Sequence, residues 1–255
     1  MGKDVLSLEG MIPFLSDKKT AEKIQIHACL ESTNKTAKEL AAAGAPHGTV
    51  IMADHQTAGK GRLGRSFFSP PMHGIYMSFI ARPTEPMPLL TPYAAVAVCE
   101  AIESATEKKP QIKWVNDIFL NGKKICGILT EAAYMQWAVV GIGINFDVAE
   151  ADFPEHLRDI AGSVFFDGEP TTTRNRLAAE IINKMAGIEN RFGKEETLGE
   201  YKKRLIMLGK KVTVADPFET YEALAMDIDE IGRLIVKKKD GKILSLSSGE
   251  IKIYL

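Results

Sequence analysis

A glycine- and cation-rich run that no helix can follow sets the first limit on the fold. Residues 55–65 read HQTAGKGRLGR, and Ser66-Phe67-Phe68-Ser69-Pro70-Pro71 comes next. Gly59-x-Gly61-x-x-Gly64 has the spacing of a dinucleotide-binding fingerprint. Gly59-xxxx-Gly64-Arg65-Ser66 is a near miss to a Walker A loop, with Arg where Lys is required. Both motifs need a helix directly after the turn, and this proline-bearing run cannot start one. The loop, residues 54–73, must therefore join two strands, Thr49–Ala53 (TVIMA) and Gly74–Ala81 (GIYMSFIA). A kinase glycine loop is excluded as well, because neither HRD nor DFG occurs downstream.

What such a loop binds follows from its charges. No Asp or Glu lies between Asp54 and Glu85, while Lys60, Arg62, Arg65 and Arg82 all do. Gly59, Gly61 and Gly64 let the backbone approach a ligand closely. Backbone N–H groups among cations make a nest for an anion, here a phosphate or a carboxylate; the plainer alternative is a solvated surface loop.

A second constellation is KWVNDIFLNGKKICGILTE, residues 113–131. Asn121-Gly122 between apolar runs predicts a two-residue hairpin turn joining Ile118–Leu120 to Lys124–Glu131. That register pairs Leu120 with Lys123, Phe119 with Lys124 and Asp117 with Cys126. Alternation then puts Asp117, Phe119, Lys124 and Cys126 on one face, with Asp117 and Lys124 as diagonal neighbours. Either they form an ordinary surface ion pair, or the lysine neutralises a substrate anion while the aspartate orients it or holds a metal. Gly127, Gly141 and Gly143 fall inside strand-like runs, where glycine marks a close approach to the backbone, as by a flat ligand lying on the sheet. Asn145 closes Ala138–Phe146 (AVVGIGINF) and can offer an amide at the pocket mouth.

The remaining pattern is α+β, with hairpins rather than regular βαβ alternation. Helices are predicted after Ser32-Thr33-Asn34 to Ala43, from Thr91 through Ala105, and over 173–192 and 195–205; Ile112–Val115 is a further strand. After Leu208-Gly209 short strands follow at Lys211–Ala215, Tyr221–Ile228, Gly232–Lys238, Ile243–Leu246 and Ile251–Leu255, separated by turns that include Asp216-Pro217. They suggest a small β-barrel module and a boundary near residue 208.

The chain's 255 residues carry 32 Lys and Arg against 33 Asp and Glu, with 45% apolar residues. That mix is too apolar for disorder and too neutral for a purely electrostatic nucleic-acid binder. No apolar run is long enough to span a membrane, and MGKDVLSLEG is not a secretory signal. Cys29, Cys99 and Cys126 form no CxxC, and they read as core hydrophobes in a reduced, cytoplasmic setting. The five histidines show no ligand spacing, and no nucleophile motif occurs. Basic groups without a nucleophile point to acyl or phosphoryl transfer by electrostatic stabilisation.

Together these strings resemble the biotin protein ligases. The resemblance rests on Ser32-Thr33-Asn34, the run from Gln56 to Arg65, Lys113-Trp114-Val115-Asn116-Asp117, the run from Lys124 to Leu129, and Gly141-Ile142-Gly143-Ile144-Asn145. It covers roughly residues 25–255. It implies an α+β, class II synthetase-like catalytic domain of mixed sheet and helices over 1–208, with 1–24 as an N-terminal extension, and an SH3-like C-terminal barrel over 209–255.

The family makes biotinyl-5′-AMP from biotin and MgATP, then passes biotin to a lysine of a biotin carboxyl carrier domain. On the resemblance, Ser32, Thr33, Asn34, Gln56, Lys60, Gly61, Arg62, Lys124, Gly127 and Gly143 bind biotin. Gly59, Arg62, Arg65, Phe67, Lys113, Asn116, Asp117, Lys124 and Asn145 bind ATP or the adenylate. Lys124, Arg62, Arg65 and Asp117 form the catalytic set, and Asp117 is also the candidate ligand for Mg2+. Three positions depart from the family pattern: Lys60 replaces Arg, Phe67 stands where Trp is common, and Val115 replaces Pro.

With only thirty-one residues before Ser32, no winged-helix domain and no specific DNA binding are expected, and a homodimer is left open. Two rival readings are a lipoate or octanoate ligase or transferase, and a non-catalytic biotin or nucleotide-binding module.

Overall fold

The computed structural model describes residues 4–83, 86–133, 136–166, 168–187, 195–215, 219–247 and 249–253. Its larger sheet has seven strands: β1 (Ile24–Leu30), β2 (Val50–Gln56), β3 (Gly74–Ala81), β4 (Gln111–Lys113), β5 (Asp117–Leu120), β6 (Lys123–Ala133) and β7 (Trp137–Asn145). They lie in the order β1-β2-β3-β7-β6-β5-β4. β1 and β2 run parallel, joined by helix α2 (Thr33–Ala42), and every other neighbouring pair is antiparallel. The sheet thus contains one βαβ unit that the sequence did not predict.

Helices cover both faces. Ala37 and Ala41 of α2 pack on Ile51, Ile80 and Val139. Helices α3 (Leu90–Thr106) and α4 (Arg174–Ala186) cover the other face, against Val50, Met52, Ile75, Met77, Phe79, Val140 and Ile142. β3 is buried along its whole length, which is why GIYMSFIA reads as a continuous apolar run and not as an alternating one. Period-two alternation leaves Tyr76 and Ser78 on the α2 side, together with Gly141 and Gly143 of β7 and Gly127, Leu129 and Glu131 of β6. This is the floor of the site.

The predicted Asn-Gly turn is present, with Asn121 and Gly122 both at positive φ (50° and 78°), the geometry a twisted two-residue hairpin needs. Leu120 faces Lys123 and Phe119 faces Lys124 as expected, but the register then shifts. Asp117 pairs with Gly127, and Cys126 with Ile118. A bulge adds one residue to the β6 side, which a count along the sequence cannot reveal. Cys126 therefore turns into the core, fully buried.

The segment before Ser32 is more structured than an extension. It forms a short helix α1 (Leu8–Met11), and Leu6, Met11 and Leu15 enter the main core. Helix α5 (Glu195–Arg204) leads to a five-stranded antiparallel sheet of β8 (Lys211–Ala215), β9 (Thr220–Ile228), β10 (Leu234–Lys238), β11 (Ile243–Leu246) and β12 (Glu250–Ile253), in the order β11-β10-β9-β8-β12. Its inward residues Val212, Val214, Ala225, Leu234 and Val236 join the main core. Residues 188–192 of the predicted helix, the Asp216-Pro217 turn and the last two residues lie outside the described residues.

Candidate functional site

The first layer of the site is a polar knot at the start of α2. Ser32 occupies the N-cap with extended backbone but makes no side-chain cap. Gln56, at the end of β2, does so instead: its Oε1 accepts from the Thr33 backbone N–H (2.8 Å) and lies 3.2 Å from Thr33 Oγ1, satisfying one of the helix's orphan donors. Gln56 Nε2 donates to Ser69 Oγ (3.0 Å). Ser78 Oγ donates to Asn34 Oδ1 (2.6 Å) and lies 2.8 Å from Thr33 Oγ1. Asn34 Nδ2 donates to Leu129 O (3.2 Å) and Glu131 Oε2 (3.0 Å). Burial raises the Glu131 pKa, but hydrogen bonds from Lys38 and Asn34 outweigh it and hold the carboxyl below its ordinary value.

This knot explains one glycine differently from the sequence reading. Gly141 faces the Asn34 amide, not an open ligand site, and any Cβ there would overlap it. On the resemblance drawn from the sequence, Gly141→Ala should displace Asn34 and weaken the expected biotin binding by about tenfold or more, ~1.4 kcal/mol. Calorimetric titration checks this, and an unchanged Kd in the folded variant would disprove it.

The second layer is the loop. Its stems are zipped by Phe67 N–H to Gly59 O (2.8 Å) and Gly61 N–H to Arg65 O (2.7 Å). At the tip Leu63 and Gly64 take positive φ (56° and 75°), and Leu63 is 76% exposed. Arg62 Nη1 reaches across to Asn116 Oδ1 (3.0 Å), and Asn116 Nδ2 donates to Ile128 O (2.7 Å). Phe67 drops onto the sheet: Cβ atoms at Gly127 and Gly143 would lie 3.4 and 2.7 Å from its ring. Glycine at 143 thus makes room for an aromatic side chain of the protein itself, whereas at 127 a Cβ would only touch that ring.

Beside that ring Lys124 Nζ and Asp117 Oδ1 form a 2.6 Å ion pair, with both side chains about a quarter to a third exposed. The bulge leaves this pairing intact. Lys113 Nζ lies 5.7 Å from the Phe119 ring centroid. Asn145 donates to Gly162 O (2.9 Å), while its Oδ1 is buried without a hydrogen-bond partner among the described residues. Arg82 does not join the anion site: its guanidinium donates to Ala41 O and Ala45 O at the end of α2, where a cation complements the helix dipole.

A cleft of about 810 Å³ runs along the loop, lined by residues 60–65, Asn116, Ile128–Glu131 and, from the C-terminal sheet, Ile231–Arg233 and Ser247. No motif in the sequence points to this wall. Trp114 Nε1 ties it in place by donating to Gly232 O (2.9 Å), and Tyr201 OH donates to Val115 O (2.8 Å). Lys124, Asp117, Gln56 and Thr33 are not among the residues that line this cleft.

Ser78, Ser69 and Glu131 were also missed. Ser78 had a signal, as the lone polar side chain in an apolar strand. Burial pushes the thiols of Cys99 and Cys126 up, so neither is ionised at neutral pH or able to act as a nucleophile. Cys29, expected in the core, is exposed, with Sγ 3.5 Å from His55 Nδ1. Among the described residues no three His, Cys, Asp or Glu are grouped to hold a metal, and no helix is long and apolar enough to cross a membrane.

Comparison with known proteins covers nearly the whole chain. Residues 26–147 match the biotin/lipoate A/B protein ligase family, and residues 207–254 match the biotin protein ligase C-terminal domain. The chain is 37% identical over 240 residues to the bifunctional ligase/repressor BirA of Bacillus subtilis, covering 89% of this chain and 73% of that one. It is 30% identical over 240 residues to the biotin--[acetyl-CoA-carboxylase] ligase of Mycobacterium tuberculosis, covering 90% and 88%. The biotin protein ligase of Aquifex aeolicus, solved in complex with biotin and ATP, superposes with a TM-score of 0.75 at 27% identity, covering 91% of this chain and 98% of that one. Both halves of the chain match one enzyme family over most of their length, and the chain belongs to the biotin protein ligases.

Proposed function

We propose that this chain joins biotin to ATP at the Lys124–Asp117 pair and then passes the biotinyl group to a lysine of a biotin carboxyl carrier domain. The observation that carries the reading is the cationic glycine loop, tied by Arg62 to Asn116, beside a Lys124–Asp117 ion pair. In the first step a biotin carboxylate oxygen forms a bond to the α-phosphorus, and the bond from that phosphorus to the pyrophosphate leaving group breaks. Two anions must meet, so their repulsion dominates the barrier. Lys124, Arg62, Arg65 and Lys60 supply fixed positive charge to offset it, along with the charge that develops in the transition state. In the second step the carrier amine attacks the biotinyl carbonyl, and AMP leaves.

The roles follow the layers. Thr33, Gln56 and Ser78, with Ser32 and Asn34, offer the ring of biotin donors and acceptors at fixed positions. Phe67 packs its aromatic face over Gly127 and Gly143. Asn145 Oδ1 and Lys113 face the nucleotide. Mg2+ commonly binds through one or two carboxylates together with substrate phosphates. Asp117, partly exposed and paired with Lys124, would fit that requirement as a single protein ligand, and the ion would supply neutralisation of the phosphate charge.

The polar knot favours a compact heteroatom-bearing ring over the long flexible chain of lipoate or octanoate. Pyrophosphate exchange into ATP should therefore require biotin and be at least about a hundredfold slower with lipoate, ~2.7 kcal/mol. Equal rates would redirect the assignment to a lipoate ligase, and no exchange with either acid would leave a binding module.

A further inference from the structure

The side of the sheet away from the ligand floor holds a charged residue that the reaction does not explain. Arg174 is the first residue of α4, and its side chain is 1% exposed. A buried guanidinium is costly to desolvate, and a cation at a helix N-terminus opposes the dipole. Its partners show what is gained. Nη1 meets Asp54 Oδ1 at 2.7 Å and donates to Gly74 O at 3.2 Å, and Nη2 lies 3.8 Å from Met72 Sδ. Asp54 Oδ2 in turn accepts from the Met72 backbone N–H (3.1 Å).

Asp54 is the residue before the ligand loop, and Met72 and Gly74 flank its return into β3. One planar fork therefore grips both stems of residues 55–73, the segment that carries Gln56, the cations and Phe67. The third partner is Asp4, whose carboxylate accepts from the Arg174 backbone N–H (2.6 Å) and whose carbonyl accepts from Nη2. Arg174 Nε has no hydrogen-bond partner among the described residues, though it lies 3.7 Å from Asp4 Oδ2, so the directional grip rests on the two terminal nitrogens.

We propose that Arg174 is a positioning residue for biotin activation: clamped to Asp54 and Gly74 from behind the sheet, it sets the spacing of the loop stems, and through them where Gln56 and the loop cations stand. The proposal rests on the function proposed above, but part of its test does not. Arg174→Lys keeps the charge and loses the fork.

In that variant the biotin KM is expected to rise about tenfold to a hundredfold, the scale of a 1 Å misplacement, with a smaller change in kcat. In the wild type, biotin and ATP should slow trypsin cleavage at Lys60, Arg62 and Arg65; in the variant that slowing should be lost, while the thermal midpoint stays close to wild type. A purely structural role would lower the active fraction and leave KM and loop protection unchanged; that result in folded protein overturns the proposal.

If Arg174→Lys does not fold, Asp54→Asn carries the same test from the loop side. Loss of folding in both variants assigns the cluster to stability and also overturns it. Absence of biotin-dependent exchange in the wild type would instead sink the functional reading, and cleavage protection by whichever ligand binds would still judge the clamp.

Discussion

Replacing Lys124 with alanine is expected to cut biotin-dependent ATP–pyrophosphate exchange by about 100- to 1,000-fold, ~3–4 kcal/mol of transition-state stabilisation, in a protein that stays folded. The two halves of that expectation have separate grounds. The chemical half is electrostatic. The carboxylate–phosphate encounter needs a cation within reach of both, and Nζ is already fixed 2.6 Å from Asp117 and beside the Gly127 backbone.

The folding half follows from where Lys124 is load-carrying. Its backbone N–H donates to Ile160 O (2.8 Å), and its carbonyl accepts from Gly162 N–H (2.9 Å); alanine keeps both. The lost ion pair is partly exposed, and such pairs contribute only about 0–1 kcal/mol. Lys124→Arg should recover part of the rate, since it restores charge but not the shape of the ammonium. Near-normal exchange in Lys124→Ala would remove this residue from the mechanism.

How much of this could be read from the chain depends on how local each cause is. The Asn121-Gly122 turn is local, because two positive-φ residues between apolar runs admit few alternatives. The strand–loop–strand character of residues 50–81 is local too, set by glycines, prolines and β3's apolar run. The bulge between Asn121 and Asp117 is not local. It trades one register for another by a single residue, and only the burial of Ile118 and Cys126 against α3 decides it.

The role of Arg82 is hidden in the sequence for a related reason. It falls in the same acid-free run as the loop cations, yet its partners, the carbonyls of Ala41 and Ala45, lie about forty residues away in sequence. Gly141 and Gly143 were rightly read as close approaches to the backbone. What approaches is Asn34 in one case and Phe67 in the other, both brought by tertiary packing. The C-terminal wall at Ile231–Arg233 and the Arg174 clamp are wholly non-local, and no motif announces either.

Arg62→Gly is expected to turn a contained reaction into a leaking one. Arg62 is the loop residue whose side chain bridges the gap to the hairpin side, through Asn116 to the Ile128 carbonyl. A hydrogen bond involving a charged group contributes about 1.5–3 kcal/mol. Its loss should shorten the residence of biotinyl-5′-AMP by about tenfold to a hundredfold. The substitution also adds a fourth glycine to a loop that has three, widening the open ensemble.

Activation itself should persist at a reduced rate, because Lys124, Arg65 and Lys60 remain. The escaped mixed anhydride would then acylate any accessible amine. The check is biotinylation of a bystander protein, such as serum albumin, in the same tube as the carrier domain. Wild type should label the carrier alone, and Arg62→Gly should label both. Arg62→Lys, which keeps the charge and N–H donors but loses the planar fork, should fall between them. Carrier-only labelling by Arg62→Gly, at an undiminished rate, would mean that the loop is held over the adenylate by something other than this arginine.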